Sequence, residues 1–209
     1  MTARLWVDAD TPAAALRPAA DVLAAGGIVA YPTDTLYGLG VDPRLSAAVD
    51  RLCRLKGRDP GVGVPLIAAD LAQVEACLGA LPPLGRRLAQ AFWPGPLTVV
   101  FQPVAELAAA ILGADGSLAV RVPGTGLSRR LAEVGGHPIT ATSANRAGMA
   151  PASTGREVTG ALGPAVALVL EQRAPLAGPP STIVDTRGDG PVLLRAGAIS
   201  WSRVLQSLA

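Results

Sequence analysis

Short polar clusters are the features of this sequence that could do chemistry. They are Thr33 and Thr35, Lys56 and Arg58, Arg121, Ser143 and Asn145, Ser181 and Thr182, and Arg195. All of them are cations or neutral hydrogen-bonding groups. An arginine presents a planar fork that fits a carboxylate or a phosphate, and a lysine presents a compact charge that can follow a phosphate as it moves. The inventory therefore predicts a site for a polyanionic ligand.

Lys56 is the single lysine among eighteen basic residues, the other seventeen being arginines. Such a bias can come from nucleotide composition, so it leaves the role of Lys56 open. Each cluster also has an ordinary structural explanation. Lys56 and Arg58 could be a solvated helix end, Arg121 an outward strand residue, and Ser143 and Asn145 turn formers that bond their own backbone. Their joint occurrence favours a binding site.

Several large enzyme classes lack their signatures in this sequence. A Walker-type phosphate loop needs Gly-Lys-Ser/Thr, whereas the only lysine stands in Leu55-Lys56-Gly57-Arg58. Gly38 and Gly40 follow the first predicted apolar strand but do not continue as a dinucleotide fingerprint. The sole histidine, His137, has no Gly-x-Ser-x-Gly elbow to accompany it, and we expect it to be a solvated loop residue. The sequence suggests no metal cage of protein ligands, which leaves Mg²⁺ held mostly by a phosphate ligand.

The length of 209 residues predicts one domain, spanning residues 1–209, that buries enough apolar surface to fold alone. Eighteen basic and sixteen acidic residues leave a formal charge of +2, and aromatic residues make up only 3% of the chain. Low charge disfavours a nucleic-acid clamp, and few aromatic side chains disfavour base stacking.

Mean hydropathy is high, at +0.39. Charged residues, prolines and glycines nevertheless interrupt every apolar stretch well before the ~18 residues that a membrane span requires. No export signal opens the chain. We therefore expect a cytoplasmic protein in which Cys53 and Cys77 are buried, reduced thiols.

The elements that must position the polar clusters follow from hydrophobic periodicity and turn signals. Strands are predicted over residues 28–31, 65–69, 97–102, 118–122, 139–142, 166–170, 182–185 and 192–194. Helices are predicted from Thr11-Pro12 to Gly26-Gly27, over 45–55, from an Asp70 cap through 78, and over 82–92, 127–134 and 202–208. Interleaved strands and helices indicate the α/β class with a mixed sheet. Ligands of such sheets bind in loops at strand ends, where the clusters stand.

Longer blocks surround these clusters. They are Tyr31-Pro32-Thr33-Asp34-Thr35-Leu36-Tyr37-Gly38-Leu39-Gly40, Lys56-Gly57-Arg58, Trp93-Pro94-Gly95-Pro96-Leu97-Thr98, Ala119-Val120-Arg121-Val122-Pro123, Ser143-Ala144-Asn145, and Pro180-Ser181-Thr182 with Leu194-Arg195-Ala196-Gly197. In type and order the blocks resemble those of the YrdC-like family, the threonylcarbamoyl-AMP synthases, over roughly residues 26–197.

The resemblance implies a twisted mixed α/β sheet with flanking helices around a deep, positively lined cavity, in the single-domain form of the shorter bacterial members. It also implies a reaction, in which L-threonine, bicarbonate or CO₂, and ATP with Mg²⁺ give threonylcarbamoyl-AMP and pyrophosphate. A separate transferase complex then uses the product to modify tRNA. We expect direct tRNA binding by this chain to be weak or absent.

The resemblance also assigns residues to the two larger ligands. For ATP they are Lys56, Arg58, Ser117, Ser143, Asn145 and Arg195, and Lys56 and Arg58 are also the expected catalytic residues. For L-threonine they are Thr33, Arg121 and Ser181, with Arg121 as the partner of the carboxylate. No protein ligand to a metal is expected.

Two positions depart from the family's pattern. Asp59 stands between Arg58 and Pro60, where many relatives place the proline directly after the arginine, and it adds a negative charge beside the expected phosphate path. Ile67-Ala68-Ala69 stands where many relatives carry a histidine, so one expected threonine contact is missing. Residues 59–65, bracketed by prolines and containing two glycines, predict a mobile flap over the nucleotide or an ordinary surface turn.

Two other functions stay open on the sequence. One is an enzyme of the same fold that carbamoylates or adenylates a different acceptor. The other is a non-catalytic RNA-binding or ribosome-maturation module.

Overall fold

The computed structural model describes residues 2–8, 10–33, 36–59, 61–124, 126–173 and 178–209. Thr35, one of the clustered hydroxyl residues, lies outside these ranges, as does Pro60 of the expected flap. Among the helices of the described ranges, none combines the length and the apolar character that a membrane crossing requires.

Strands of the described residues form two mixed sheets. They are β1 Ala3–Trp6, β2 Val29–Pro32, β3 Tyr37–Gly40, β4 Leu66–Ile67, β5 Leu97–Phe101, β6 Leu118–Arg121, β7 Ile139–Thr140, β8 Thr142–Ser143, β9 Leu168–Glu171, β10 Thr182–Asp185 and β11 Val192–Arg195. The first sheet has the order β1-β9-β2-β3-β8, and the second has the order β11-β10-β5-β6-β4-β7. The α/β class is confirmed, with two mixed sheets where the sequence predicted one.

Seven α-helices within the described ranges flank the sheets. They are α1 Arg17–Ala24, α2 Ser46–Lys56, α3 Leu71–Leu78, α4 Pro83–Phe92, α5 Gly126–Gly135, α6 Gly155–Leu162 and α7 Trp201–Gln206. Asp70 caps α3 as predicted, because its carboxylate accepts a hydrogen bond of 2.7 Å from the Gln73 backbone N–H.

The predicted strand over residues 139–142 is divided between the two sheets. Its first half, β7, pairs with β4, and its second half, β8, pairs with β3. The chain crosses at Ala141, whose backbone N–H donates to the Pro65 carbonyl at 2.8 Å. Thr140 joins the sheets as well, since its hydroxyl donates to Leu39 O at 3.1 Å and accepts from the Val41 N–H at 2.9 Å. This crossing fixes the space between the sheets.

Two apolar clusters form the core. One packs α1 and α5 against the first sheet, around Leu23, Tyr31 and Leu131. The other contains buried residues of α2, α3, α4 and α7 together with strands of both sheets. Full burial of each such side chain contributes about 1.5–3 kcal/mol, which holds the sheets at a fixed separation.

Several local predictions are wrong. Thr11 does not cap a helix, because its hydroxyl donates to Asp8 Oδ1 at 2.9 Å and a short 3₁₀ turn, Ala13–Leu16, precedes α1. Cys53 and Cys77 are free thiols but are only half-buried.

His137 is a buried residue rather than a solvated one, with 8% exposure. Its Nδ1 lies 2.9 Å from the Pro138 carbonyl oxygen, and its Nε2 lies 3.3 Å from Asp42 Oδ2. The Asp42 carboxylate also accepts from Arg44 Nε at 3.0 Å and Nη2 at 2.8 Å. Burying a carboxylate without donors is costly, and the Arg44 guanidinium supplies them here, with the His137 ring packed beside the carboxylate.

Candidate functional site

A cavity of about 270 Å³ lies where the two sheets meet. Its lining comes from both sheets and from the crossing between them: Thr33, Leu36, Tyr37, Gly38, Pro65, Leu66, Ile67, Thr98, Arg121, Ala141, Thr142, Ser143, Pro180, Ser181, Ile183 and Arg195. The lining combines apolar side chains with hydroxyl groups and two guanidinium groups. Such a composition suits a small ligand that carries both apolar and anionic parts.

Lys56 is the last residue of α2 and is only 8% exposed. Its Nζ donates to Ser143 O at 2.5 Å, Asn145 Oδ1 at 2.8 Å, Asn145 O at 3.1 Å and Ser143 Oγ at 3.2 Å. Burial and the nearby Arg58 charge lower the pKa of Lys56 to about 8. Lys56 is therefore not a solvated helix end, and it supports the Ser143 wall of the cavity.

Arg58 follows the helix through a left-handed turn at Gly57, where φ is +58°. Its Nε donates to Val62 O at 2.8 Å, its Nη1 to Thr142 Oγ1 at 3.4 Å, and its Nη2 to Gly63 O. Burial lowers the pKa of the guanidinium below its ordinary value. Arg58 thus contacts a hydroxyl group that lines the cavity.

Arg58 also lines a second cavity of about 290 Å³ beside the end of α2. The segment after it is attached to the body by two backbone hydrogen bonds, from Val64 N to Ile111 O and from Ala114 N to Gly61 O, each 2.9 Å long. A Cβ on Gly63 would lie 2.7 Å from Gly113 N, so this approach requires glycine. The described part of the expected flap is packed against residues 111–114.

Ser143 and Asn145 act both as turn formers and as partners of Lys56. Ser143 Oγ donates to Asn145 Oδ1 at 2.6 Å, and Asn145 Nδ2 donates to Met149 O at 2.6 Å and Arg146 O at 3.1 Å. The Asn145 amide hydrogens are therefore committed to the turn. Only Ser143 of the pair reaches the cavity surface.

Arg195, at the end of β11, faces the cavity beside Ser181. Its Nη2 donates to Ser181 O at 2.8 Å and to Ser181 Oγ at 2.9 Å, and its Nε donates to the same carbonyl at 3.1 Å. Burial lowers the pKa of Arg195, and the positive charge of Arg121 lowers it further. Two guanidinium groups thus stand close enough to repel each other, which an anion between them would relieve.

Arg121 stands in β6 opposite Ile67 of β4 and lines the cavity, so it is not an outward strand residue. Tyr31 lies nearby with its hydroxyl donating to Thr140 O at 2.7 Å. Full burial raises the pKa of Tyr31, and the Arg121 charge opposes that rise. A Cβ on Gly40 would come within 2.9 Å of the Tyr31 ring, so this glycine of the Tyr31–Gly40 block makes room for an aromatic ring.

Thr33 lines the cavity next to the loop that follows β2, and its hydroxyl donates to Leu36 O at 2.7 Å. Ser117 is not among the lining residues. Its backbone N–H donates to Asp115 Oδ1 at 3.1 Å, and its carbonyl accepts from Gly113 N at 2.9 Å. The assignment of Ser117 to ATP stays a prediction.

The cations of the site differ from other arginines in their partners. Within the described part of the chain, the hydrogen-bond partners of Lys56, Arg58 and Arg195 are all neutral oxygens. By contrast, Arg44 and Arg187 pair with carboxylates. Among the described contacts, the charges of Lys56, Arg58 and Arg195 are therefore left for a ligand. Among the described residues, no group of three or more His, Cys, Asp or Glu side chains could hold a metal ion.

Comparison with known proteins identifies the family. The Sua5/YciO/YrdC family model, described as Telomere recombination, matches residues 21–197. A protein of Thiobacillus denitrificans named threonylcarbamoyl-AMP synthase is 40% identical over 164 residues, which are 77% of this chain and 85% of that protein. The chain belongs to the Sua5/YciO/YrdC family. The resemblance drawn from the sequence blocks is thereby confirmed.

Other members of the Sua5/YciO/YrdC family extend this likeness. A Chromohalobacter salexigens protein, also named threonylcarbamoyl-AMP synthase, is 44% identical over 154 residues, 72% of this chain and 83% of that protein. The structure of E. coli YciO matches with a TM-score of 0.86 at 25% identity, covering 98% of this chain and all of that one.

P. abyssi Sua5 complexed with L-threonine matches with a TM-score of 0.88 at 28% identity and covers all of this chain. This chain spans 61% of the length of that Sua5 protein.

Proposed function

We propose that this chain is a threonylcarbamoyl-AMP synthase, which condenses L-threonine, bicarbonate or CO₂, and ATP and releases pyrophosphate. The observation that carries the proposal is that Lys56, Arg58 and Arg195, grouped around one cavity, have no carboxylate partner among the described residues. Arg195 lines the cavity, while Lys56 and Arg58 contact its Ser143 and Thr142 walls. The names of the relatives and the threonine complex of P. abyssi Sua5 support it.

The reaction has two bond-forming steps. The threonine nitrogen attacks the carbon of CO₂, loses a proton and becomes a carbamate. A carbamate oxygen then attacks the α-phosphorus of ATP while the bond to the pyrophosphate oxygen breaks. The carbamate decomposes in water, so the site must hold both reactants aligned until the second step. Alignment can contribute on the order of 7–11 kcal/mol to lowering the barrier, without any histidine acting as a base.

Each end of the substrate pair has its own residues in this proposal. Thr33, Arg121 and Ser181 bind L-threonine, with the Arg121 fork on the carboxylate. Lys56, Arg58, Ser143 and Arg195 bind ATP and stabilise the departing pyrophosphate by preorganised charge. Asn145 would join them by releasing an amide hydrogen from Met149 O or Arg146 O. Ser143 must turn its hydroxyl from Asn145 Oδ1 towards a phosphate oxygen to do so.

Mg²⁺ is proposed to enter with ATP. The described residues bring no set of three metal-ligating side chains together, so the phosphate oxygens would supply most of its ligands. Bound there, the ion would neutralise part of the triphosphate charge. Lys56, Arg58 and Arg195 would then have to neutralise only the remainder.

The proposal extends to the partners of the reaction. The product passes to a tRNA threonylcarbamoyl-transferase complex, in the cytoplasm where tRNA and ATP are present. Direct tRNA contact is weak or absent, since the formal charge of +2 gives no strong field for a polyanion of that size.

Mass detection of threonylcarbamoyl-AMP tests the proposal. The protein is incubated with L-threonine, bicarbonate, Mg²⁺ and ATP, in parallel with other amino acids. We expect product from L-threonine, and a loss of about 100-fold or more in Lys56→Ala and Arg58→Lys, because neither replacement restores the preorganised contacts. Arg156→Lys on the exposed face of α6 is the control.

Three results contradict the proposal. Activity within about twofold of wild type in both variants removes Lys56 and Arg58 from the site. A product formed only from a different amino acid assigns the chain to an enzyme with another acceptor. Salt-dependent RNA binding without release of pyrophosphate identifies a non-catalytic module.

A further inference from the structure

We infer that Thr98 is a positioning residue of the cavity, which together with Ser181 presents one hydroxyl hydrogen to an acceptor oxygen of the bound amino acid. This inference rests on the proposed function. Thr98 is the only polar residue of β5, whose sequence is Leu97-Thr98-Val99-Val100-Phe101. Leu97, Val99 and Phe101 belong to the apolar core, whereas Thr98 faces the cavity.

The Thr98 hydroxyl meets the Ser181 hydroxyl at 2.8 Å. Both residues are buried, with exposures of 4% and 9%, and both line the cavity. Parallel pairing of β5 with β10 sets Thr98 opposite Ile183, two residues after Ser181. Strand pairing, rather than a flexible loop, therefore fixes the contact between the two hydroxyl groups.

Counting hydrogens gives the pair one donor to spare. The guanidinium of Arg195 can only donate, so Ser181 Oγ accepts the 2.9 Å bond from Arg195 Nη2. The bond between the two hydroxyl groups consumes one of their two hydrogens. Within the described residues, the other hydrogen makes no hydrogen bond.

Either direction of the hydroxyl bond leads to the same result. If Thr98 donates, both lone pairs of Ser181 are occupied and its hydrogen must point elsewhere. If Ser181 donates, the Thr98 hydrogen is the free one. Since both groups line the cavity, the free hydrogen is available to an acceptor oxygen of an amino acid whose carboxylate binds Arg121.

Calorimetric titration with L-threonine tests this role. We expect Thr98→Val to weaken threonine binding about five- to tenfold, the effect of losing one oriented hydrogen bond. Thr98→Ser keeps the hydroxyl and should bind within about twofold of wild type. Thr186→Val is the matched control, because that buried hydroxyl donates to Val100 O in the same sheet and does not line the cavity.

Two further readouts separate positioning from folding. The Michaelis constant for threonine should rise in Thr98→Val more than the turnover number falls. The loss of threonine affinity in the Thr98→Val/Ser181→Ala double variant should be smaller than the sum of the losses in Thr98→Val and Ser181→Ala. The reason is that the two hydroxyl groups share one hydrogen bond.

The outcomes keep the two claims apart. Unchanged threonine affinity in Thr98→Val, or strictly additive losses in the double variant, overturns the role of Thr98 even when the wild type makes product. A wild type that binds threonine and makes no threonylcarbamoyl-AMP overturns the proposed function, while the affinities of the variants still measure Thr98. A wild type that binds no threonine overturns both.

Discussion

At the residue scale, Lys56 combines deep burial with a full set of neutral partners. Four oxygens of Ser143 and Asn145 surround its Nζ, and none belongs to a carboxylate. Desolvation destabilises the ammonium, and the adjacent Arg58 charge adds to that effect. An incoming polyphosphate supplies the missing negative charge, so the site is prepared for an anion at the cost of some stability.

This arrangement predicts a pH dependence of ATP binding. The pKa of Lys56 is lowered to about 8, so the ammonium is charged below that pH and neutral above it. If ATP requires the charged form, its affinity should fall about tenfold between pH 7 and pH 9. Titrating ATP without threonine avoids the ionisation of the substrate amine.

Lys56→Arg is the matched variant for this titration, because arginine stays protonated throughout that range. Whatever its ATP affinity at pH 7, the variant should keep that affinity up to pH 9. If the ATP affinity of wild type and variant falls equally with pH, a group other than Lys56 is responsible.

At the element scale, the β10–β11 hairpin carries both Ser181 and Arg195. Gly197 packs so closely against the start of β10 that a Cβ there would lie 2.5 Å from the Ser181 carbonyl carbon and from Thr182 N. The Ala198 N–H donates to Pro180 O at 2.9 Å across the same contact. The glycine therefore holds Arg195 against Ser181.

Gly197→Ala should separate the two segments, because the atoms in its way belong to backbone that cannot move aside. We expect a lower free energy of unfolding, by about 1–3 kcal/mol, together with weaker ATP binding. Gly190→Ala in the same hairpin has no atom within 4 Å of the added Cβ and serves as the control. If both variants have the same free energy of unfolding and the same ATP affinity, the close approach at Gly197 contributes to neither.

Elements with strong local signals were predictable from the sequence. The Asp70 cap, α3 and α4 follow from local residues alone, and β10 has the predicted bounds. Elements that depend on distant partners were not. β3, with two glycines, becomes a strand only because it pairs with β2 and β8, and β1 becomes one because it pairs with β9.

One missed helix did have a signal in the sequence. α6 begins after Thr154, whose hydroxyl accepts from the Glu157 N–H at 3.2 Å, while the Glu157 carboxylate accepts from the Ser153 N–H at 2.7 Å. Thr154-Gly155-Arg156-Glu157 fits the capping-box pattern. His137 is a different case, because only its tertiary contact with Asp42 shows why it is buried.

At the scale of the whole molecule, the cavity exists because two sheets are joined at Ala141. The residue types of the site were predictable, since the sequence blocks contain them. Their meeting was not predictable from local pattern, because Lys56 and Ser143 stand 87 residues apart. Thr98 stands within the block Trp93–Thr98, yet only its contact with Ser181 indicates the role inferred for it.

Arg58 also connects the flap segment with the expected phosphate path. The guanidinium donates to the carbonyls of Val62 and Gly63, so phosphates that draw Arg58 towards the cavity should move this segment with it. We predict slower amide exchange at residues 61–64 when threonine and ATP are both present. Residues 203–206 of α7, which have no hydrogen bond to residues 61–64 within the described part of the chain, should be unaffected. Unchanged exchange at 61–64 would indicate an ordinary surface turn.

The most direct measurement is the position of both ligands in a complex with L-threonine, bicarbonate and an uncleavable ATP analogue. We expect L-threonine and the nucleotide to bind together in the cavity of about 270 Å³. The threonine carboxylate should contact Arg121, and the phosphates should lie beside Lys56, Arg58 and Arg195. A carbamate oxygen should stand within about 3.5 Å of the α-phosphorus. Threonine and nucleotide bound in separate cavities would contradict the account.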